Sequence, residues 1–367
     1  MKVLELFGGI GACSKALERL KIDYEIVDFV EIDKYAVASF NAMHGTNFLP
    51  QDIKTWNKKI DVDLIMHGSP CQDFSLAGLN AGGDKGSGTR SSLMFETLRI
   101  VDELKPKYVI WENVKNLLSK KHRHNFEAYI EHMSGGGYTS YYKILNAKDY
   151  GIPQHRERIF TISIRNDIHK TFTFPEEKEL KIKLKDLLEE QVDEKYYLSQ
   201  KMIDYISATG TANFKNHDSR INLEIARPLT TDQNKRAGTT NYLSKELPAN
   251  FDLSIKIRNN TKKGYLEAHP GDGVYTNVST KRGTVQKESI ATLTSFQDKG
   301  VVLEDLRIRR LTPKECWRLM GFDDSDYEKA SKVNSNTQLY KQAGNSIVVN
   351  VLEEILKNLL LREEEER

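Results

Sequence analysis

Over roughly its first 165 residues the chain alternates short, nearly continuous apolar runs with segments whose apolar positions recur every three to four residues. VLELF (3–7) is followed by a helix-like 12–20, EIVDFVEI (25–32) by 34–44, DLIMHGSP (63–70) by 91–104, and YVIWENV (108–114) by 125–133; YYKILNA (141–147) and RIFTISI (158–164) close the series. Continuous β-rich runs separated by amphipathic helices predict a mostly parallel sheet covered on both faces, a doubly wound α/β domain. Ligands bind such sheets beyond the carboxyl ends of the strands, so residues 7–11, Glu31, Asp52, 69–75 and 112–114 are expected to line one crevice.

Beyond Pro175 the pattern changes to short strand-like pieces, polar loops and Lys-rich stretches, with turn signals such as Pro270-Gly271-Asp272-Gly273. Helical periodicity returns at 312–320 and again at 346–361, where Val348, Val351, Leu352, Ile355, Leu356 and Leu359 form one apolar stripe. That stripe needs a partner, and the first domain supplies one. The expected organisation is therefore a large domain, 1–175 plus 340–367, and a smaller, irregular, strand-rich domain, 176–339, two being the count that 367 residues suggest.

With 39% apolar and 29% charged residues, the composition is that of a folded chain and not of a disordered tail. No apolar run approaches the length of a membrane span, and Met1-Lys2 leads straight into a strand, so a cytoplasmic protein is expected. The overall balance of 54 basic against 52 acidic side chains does not announce nucleic acid, but residues 256–310 carry eleven Lys/Arg against six Asp/Glu, a local excess suited to a phosphate backbone. Three widely spaced cysteines suggest neither a disulfide framework nor a metal site.

The candidate chemistry lies at the predicted strand ends. Phe7-Gly8-Gly9-Ile10-Gly11 closes the first run, where glycines let the backbone turn sharply and approach a ligand. Ser14 stands where a G-x-G-x-x-G fingerprint has its third glycine, so a plain structural turn competes. Glu31 follows about 20 residues later, where an acid commonly takes ribose hydroxyls; a solvated strand end is the bland alternative. Asp52-Ile53 offers an acid and an apolar surface for an adenine amino group and ring, although Asp52 serves equally as a turn cap.

Cys71 lies in Gly68-Ser69-Pro70-Cys71-Gln72-Asp73-Phe74-Ser75, after a buried-type strand and before a glycine-rich stretch reaching Gly88. Free thiols ionise near about pH 8.5, so a nucleophilic Cys71 needs a positive or dipolar neighbour. Cys13 and Cys316 sit in helix-like apolar patterns and read as packing residues. Glu112-Asn113-Val114 puts a carboxyl group where it can hydrogen-bond or protonate a ring nitrogen, with a salt-bridged strand end as the alternative. In Gln154-His155-Arg156-Glu157-Arg158, alternation points Gln154, Arg156 and Arg158 to one side, an arrangement for phosphate or base carbonyls or else a surface ion-pair ladder.

The order of these pieces is more specific than any one of them. Phe-x-Gly-x-Gly, an acid, Asp-Ile, Pro-Cys-Gln, Glu-Asn-Val, Gln-x-Arg-x-Arg, a long variable stretch, Arg-Leu-Thr-Pro-x-Glu-Cys and Gly-Asn-Ser succeed one another over 2–164 and 307–361. The chain thus resembles the cytosine-5 DNA methyltransferases of bacterial and phage type II restriction-modification systems. The resemblance implies a Rossmann-like domain that binds S-adenosylmethionine and releases S-adenosylhomocysteine. It also implies a target-recognition domain at about 172–305, where Ala291-Thr292-Leu293-Thr294 is similar to that family's short Thr-Leu element.

By the same resemblance Phe7, Gly9, Gly11, Glu31, Ile32, Asp52, Ile53, Pro70, Leu93, Asn345 and Val348 surround the cofactor. Cys71 is the nucleophile, and Gln72 and Asn113 are counted with it in the catalytic group. Glu112 holds and protonates the cytosine edge at N3, Arg156 and Arg158 hold the extruded base or order the catalytic loop, and Arg90 meets a phosphate. Gln154, Thr292, Leu293, Lys281 and Arg282 are the remaining DNA-contact candidates. The implied partner is double-stranded DNA at a short, palindromic site read by a monomer, with any cognate restriction endonuclease acting separately. Two departures stand out: Ile32 replaces an aromatic residue that some members stack on adenine, and Gln51 precedes Asp52 where glycine is common.

The chemistry accounts for the residue types. Carbon 5 of cytosine is a poor nucleophile until a thiolate adds at carbon 6, which turns the ring into an enamine able to attack a methyl sulfonium. The base must leave the helix stack first, and the glycine-rich loop 78–88 suits a lid over it. Three rivals compete. A transfer-RNA methyltransferase of the same fold would carry Pro-Pro-Cys and Cys-Phe-Thr, where this chain has Ser69-Pro70-Cys71 and lacks the latter. A dinucleotide-dependent oxidoreductase leaves Cys71, Glu112 and the arginines without a role, and a silent DNA-binding relative would not retain every chemical residue.

Overall fold

Most of the strands form from apolar runs. In the computed structural model, which describes residues 1–70, 93–199, 254–276, 284–294, 298–303 and 308–361, the first strands are β1 (Lys2–Leu6), β2 (Glu25–Val30), β3 (Leu64–His67), β4 (Tyr108–Val114), β5 (Tyr138–Asn146), β6 (Gln154–His155) and β7 (Glu157–Arg165). Of these, β1, β3, β4 and β7 are largely buried on both faces. The main sheet has the order β2-β1-β3-β4-β7-β5. β2, β1, β3 and β4 are parallel, whereas β7 runs antiparallel to both β4 and β5. The mostly parallel expectation holds for the four strands that carry the candidate site. It fails at β7 for a geometric reason: segment 147–156 is shorter than the dozen or so residues that a parallel crossover needs.

Helices α1 (Ala12–Arg19), α2 (Lys34–His44), α3 (Met94–Leu104) and α4 (Arg123–Gly135) follow successive strands. On one face Leu4, Leu6, Ile65, Val109 and Trp111 bury against Met94, Leu98 and Val101 of α3 and Phe126, Tyr129 and Met133 of α4. On the other face Phe29 of β2 stacks on Phe40 of α2 with ring centroids 3.8 Å apart, and the buried Glu5 of β1 accepts hydrogen bonds from the Ser14 amide and hydroxyl of α1. The carboxyl ends of β1 to β4 are thereby held at one edge of a rigid layer.

The C-terminal part forms α5 (Pro313–Arg318), α6 (Asp324–Ser331), α7 (Asn336–Asn345) and α8 (Val349–Leu356), the last continuing into a wider turn at Lys357–Leu361. Thr312-Pro313-Lys314-Glu315 proves to be a helix start: Thr312 Oγ1 accepts from Glu315 N, and Glu315 Oε2 accepts from Thr312 N at 2.8 Å. α6 and α7 carry no strong apolar stripe and were not expected. Part of the anchorage of α6 is ionic, through the buried Lys15 of α1, whose Nζ lies 2.8 Å from Asp323 and 3.1 Å from Asp326. The apolar face of α8 packs on α1.

Two compact units result: Met1–Val192 with Glu288–Gln297 and Leu311–Arg367, and Asp193–Lys287 with Asp298–Arg310. This corrects the expected boundaries, since 176–192, 288–297 and 311–339 belong to the first unit. Leu184 N donates to Glu288 O at 2.9 Å, Glu189 N donates to Glu315 Oε1 at 2.8 Å, and β12 (Ile290–Ala291) pairs with β6. The second unit contains β8 (Ile255–Arg258) paired with β9 (Tyr265–Ala268), and a sheet in the order β11-β10-β13-β14, built from Val285–Gln286, Gly273–Tyr275, Lys299–Val302 and Ile308–Arg310. Its small core gathers Ile257, Ala268, Val274, Val302 and Ile308. Among the described residues no helix is long and apolar enough to cross a membrane.

Candidate active site

The first strand ends in a strained turn. Phe7 takes a left-handed φ of 53°, rare for a side chain of its size and a mark of functional segments. At Gly11, with φ +79°, a Cβ would lie 2.6 Å from the Phe40 ring, so glycine is required by packing as well as by conformation; at Gly9, with φ +58°, the space is open. Glu31 closes this turn from the neighbouring strand: its Oε2 accepts from Gly9 N at 3.0 Å and its Oε1 from Asp33 N at 2.8 Å. Burial raises the Glu31 pKa above the usual carboxylate value, and those two N–H groups oppose the shift.

Beside it Ile32 is 69% exposed, an apolar side chain left in the open at the edge of the turn. Gln51 N donates to Glu31 O at 2.9 Å, and the Gln51 side chain donates to Asp28 Oδ1 at 2.8 Å and Phe29 O at 3.0 Å. Asp28 also accepts from Trp56 Nε1 at 2.7 Å and pairs with Lys58 at 2.8 Å. Burial pushes Asp28 up, but Lys58, Trp56 and Gln51 together hold its pKa below the usual range. The unusual Gln51 is therefore a strut that ties the Asp52 segment to β2. Asp52 caps its own turn through Lys54 N at 3.0 Å, as one reading of the sequence allowed, and Ile53 is buried in the core.

A second group of contacts builds the ends of β3 and β4. Ser69 Oγ accepts from Trp111 Nε1 at 3.0 Å, and Asn113 Nδ2 donates to Ser69 O at 3.3 Å. Gly68-Ser69-Pro70 is thereby laced to β4 immediately before residue 71. Glu112 is buried, its Oε1 lies 3.0 Å from Arg158 Nε, and a Cβ on Gly68 would stand 3.8 Å from Glu112 Oε2 and 3.5 Å from Ile347 Cδ1. Ile347 also brings the Asn345 to Val348 stretch to this end of the sheet. Lys341 of α7 meets Asp33 at 2.7 Å and Gln342 Nε2 donates to Tyr35 O at 3.0 Å, which fastens the same stretch from the other side. Asn345 is exposed, Val348 is buried, and Leu93 packs partly buried against the core.

The Gln-x-Arg-x-Arg segment does not present one face of free groups. Arg158 pairs with Glu112, whereas Gln154 and Arg156 are buried in contacts to protein backbone. Gln154 Nε2 donates to Leu319 O at 2.8 Å and its Oε1 accepts from Leu293 N at 3.0 Å. Arg156 donates to the carbonyls of Leu293, Gly344 and Ser346 at 3.2, 3.3 and 2.7 Å. Thr292 Oγ1 donates to His155 O at 2.5 Å, and Leu293 is buried. Cys71, Gln72, Arg90, Lys281 and Arg282 lie outside the described residues. The other two cysteines are buried, as packing residues should be, and burial pushes the Cys13 thiol well above its usual range.

Sequence reasoning missed Ser69, Trp111, Asp28, Ile347 and the strut role of Gln51. Trp111 alone carried a signal, because a buried indole N–H must find an acceptor.

A glycine turn with an open position, a carboxylate with acceptor capacity remaining after two N–H contacts, and an exposed apolar side chain together fit an adenosyl ligand. Comparison with known proteins gives the same direction. The family model described as C-5 cytosine-specific DNA methylase matches residues 1–361. Type II methyltransferase M2.ScrFI of Lactococcus lactis subsp. cremoris is 32% identical, with 98% of this chain and 99% of that protein covered. Orphan methyltransferase M.SPRI of Bacillus phage SPR is 33% identical over 98% of this chain and 97% of its own length. Among solved structures, Entamoeba histolytica methyltransferase EhMeth shares the fold at a TM-score of 0.63 and 17% identity, with 99% of both chains covered. The chain belongs to the C-5 cytosine-specific DNA methylases.

Proposed function

We propose that this DNA (cytosine-5-)-methyltransferase, of class EC 2.1.1.37, acts on a cytosine flipped out of a short specific site in double-stranded DNA, through a covalent bond between Cys71 and carbon 6. The observation that carries the reading is the Glu112–Arg158 pair beside Gly68, with Ser69 laced to Trp111 and Asn113. Phe7, Gly9, Gly11, Glu31, Ile32, Asp52, Ile53, Pro70, Leu93, Asn345 and Val348 surround S-adenosylmethionine, the donor that membership of the family implies. When bound, that group supplies an electrophilic methyl sulfonium.

The residues divide the remaining work. Cys71 attacks carbon 6 as a thiolate, and the electron pair displaced to carbon 5 would form the bond to the methyl group, the pair of the broken sulfur–methyl bond staying on the donor's sulfur. Glu112, oriented by Arg158, holds N3 and steadies the charge that builds there on addition. A base then removes the carbon 5 proton, the ring pair returns, and Cys71 leaves carbon 6 as thiolate. Arg90 meets a phosphate, Thr292 faces the DNA backbone, and Lys281 and Arg282 are further DNA contacts.

Bisulfite sequencing of plasmid DNA from cells expressing wild type, Cys71→Ala and Glu112→Gln tests substrate, reaction and site together. Protected cytosines in one short motif are expected with wild type, none with Cys71→Ala, and sparse protection with Glu112→Gln. Normal protection by Cys71→Ala would sink the covalent mechanism.

A further inference from the structure

Arg156 has no free face to offer a base. Its Nη1 donates to Leu293 O, and its Nη2 to both Gly344 O and Ser346 O. The first carbonyl belongs to the residue after Thr292; the other two flank Asn345 at the C-terminal end of α7, where a cation also satisfies the helix dipole. Leu293 is gripped a second time through its N–H by Gln154, and residues 290 and 291 are paired to 154 and 155 as strand partners. The turn at Asn345 is held separately, with Ser346 N donating to Gln342 O at 3.0 Å. A guanidinium is planar with donors in a fixed fork, so a shift of one carbonyl changes the geometry offered to the others.

We propose that Arg156 is a positioning residue that couples cofactor binding to DNA binding, by mounting the Thr292-Leu293 element and the Asn345 turn on one guanidinium group. The inference rests on the reading above, in which Thr292 faces DNA and Asn345 faces the cofactor. Ordering either segment by its ligand orders the shared fork, and the second ligand then has less freedom left to remove. The coupling is reciprocal, as linkage requires. Arg156 thus contributes without touching either ligand.

The test is calorimetric titration of the full chain with S-adenosylhomocysteine, alone and with a saturating duplex carrying the motif found by bisulfite mapping, for wild type and Arg156→Lys. Wild type should bind S-adenosylhomocysteine about fivefold or more tightly when the duplex is present. Arg156→Lys, which keeps the charge and loses the fork, should bring that ratio below about twofold while still binding each ligand alone. Equal ratios in the two proteins, or a ratio near one in wild type, would overturn the coupling. Hydrogen exchange on wild type needs no variant to fold: S-adenosylhomocysteine should slow exchange at 291–294, and duplex should slow it at 343–347. Protection of only each ligand's own segment counts against the inference. Failure of wild type to bind S-adenosylhomocysteine, or to protect any cytosine, would instead remove the methyltransferase reading beneath it.

Discussion

Glu31→Gln is the sharpest probe of the cofactor crevice because the structure says what each carboxylate oxygen does. Oε2 takes Gly9 N–H at 3.0 Å and Oε1 takes Asp33 N–H at 2.8 Å, so a glutamine must turn its NH2 toward one of those donors. That leaves one buried N–H unsatisfied or opens the glycine turn, and removes one charge-assisted acceptor from the crevice. Hydrogen bonds to charged groups contribute about 1.5–3 kcal/mol each and a stranded donor costs about 1–3 kcal/mol, partly relieved here by exposure of the turn. A net loss of about 2–4 kcal/mol corresponds to roughly 30- to 1,000-fold weaker binding of S-adenosylhomocysteine. Isothermal titration at pH 7.5 reads this directly, with DNA binding of the same variant as a control that should not move. Wild-type binding should also weaken as pH falls through the Glu31 pKa, which burial holds above the ordinary carboxylate value, whereas the variant should be flat there. A dissociation constant within about threefold of wild type would refute the assignment of Glu31 to the cofactor.

Two further predictions concern the scaffold. Burial raises the Glu5 pKa from 4.5 to about 7, so the folded state favours the protonated acid; stability is fully present below the unfolded value and declines as pH rises toward 7, by about 3 kcal/mol. Glu5→Gln, which can still accept from Ser14, should flatten this decline in melting scans from pH 5 to 8, and an unchanged wild-type slope would contradict it. Gly11→Ala must hold φ +79° and push a methyl group 2.6 Å from Phe40, so thermal melts should show a loss of about 2–4 kcal/mol together with weakened S-adenosylhomocysteine binding. Wild-type stability in that variant would show that the turn relaxes easily.

Much of the first unit was legible because its central strands are short, largely buried runs and the candidate site residues stand where those runs stop. Phe7, Glu31 and Glu112 were readable from strand ends alone. Gln154 and Arg156 were not. Alternation put them with Arg158 on one side of a strand, but whether that side is open or covered depends on residues 290–293 and 344–346, far away in sequence. The same limit hid α6, whose short polar turns are partly held by Lys15 of α1, and α7, whose Lys341 meets Asp33 and whose Gln342 donates to Tyr35 O. The second domain was drawn too large for a related reason: composition changes at Pro175, but the packing unit does not end until Val192.

Three glutamates on β1, at the end of β2 and on β4 show what local pattern leaves undecided. Each sits on or just beyond an apolar strand, and nothing in the immediate sequence ranks them. Glu5 points to the face covered by α1 and is satisfied by Ser14 alone, a structural role that needs no charge. Glu31 lies past its strand's last residue, where two backbone N–H groups fix it and acceptor capacity remains for a ligand. Glu112 is the one given a guanidinium partner, and that partner comes from β7, the strand whose reversed direction sets Val114 opposite Arg158. The antiparallel strand is therefore more than a departure from the expected sheet. By running against β4 it delivers Arg158 from its starting end to the carboxyl ends of the parallel strands, where a parallel strand would have delivered its last residues instead.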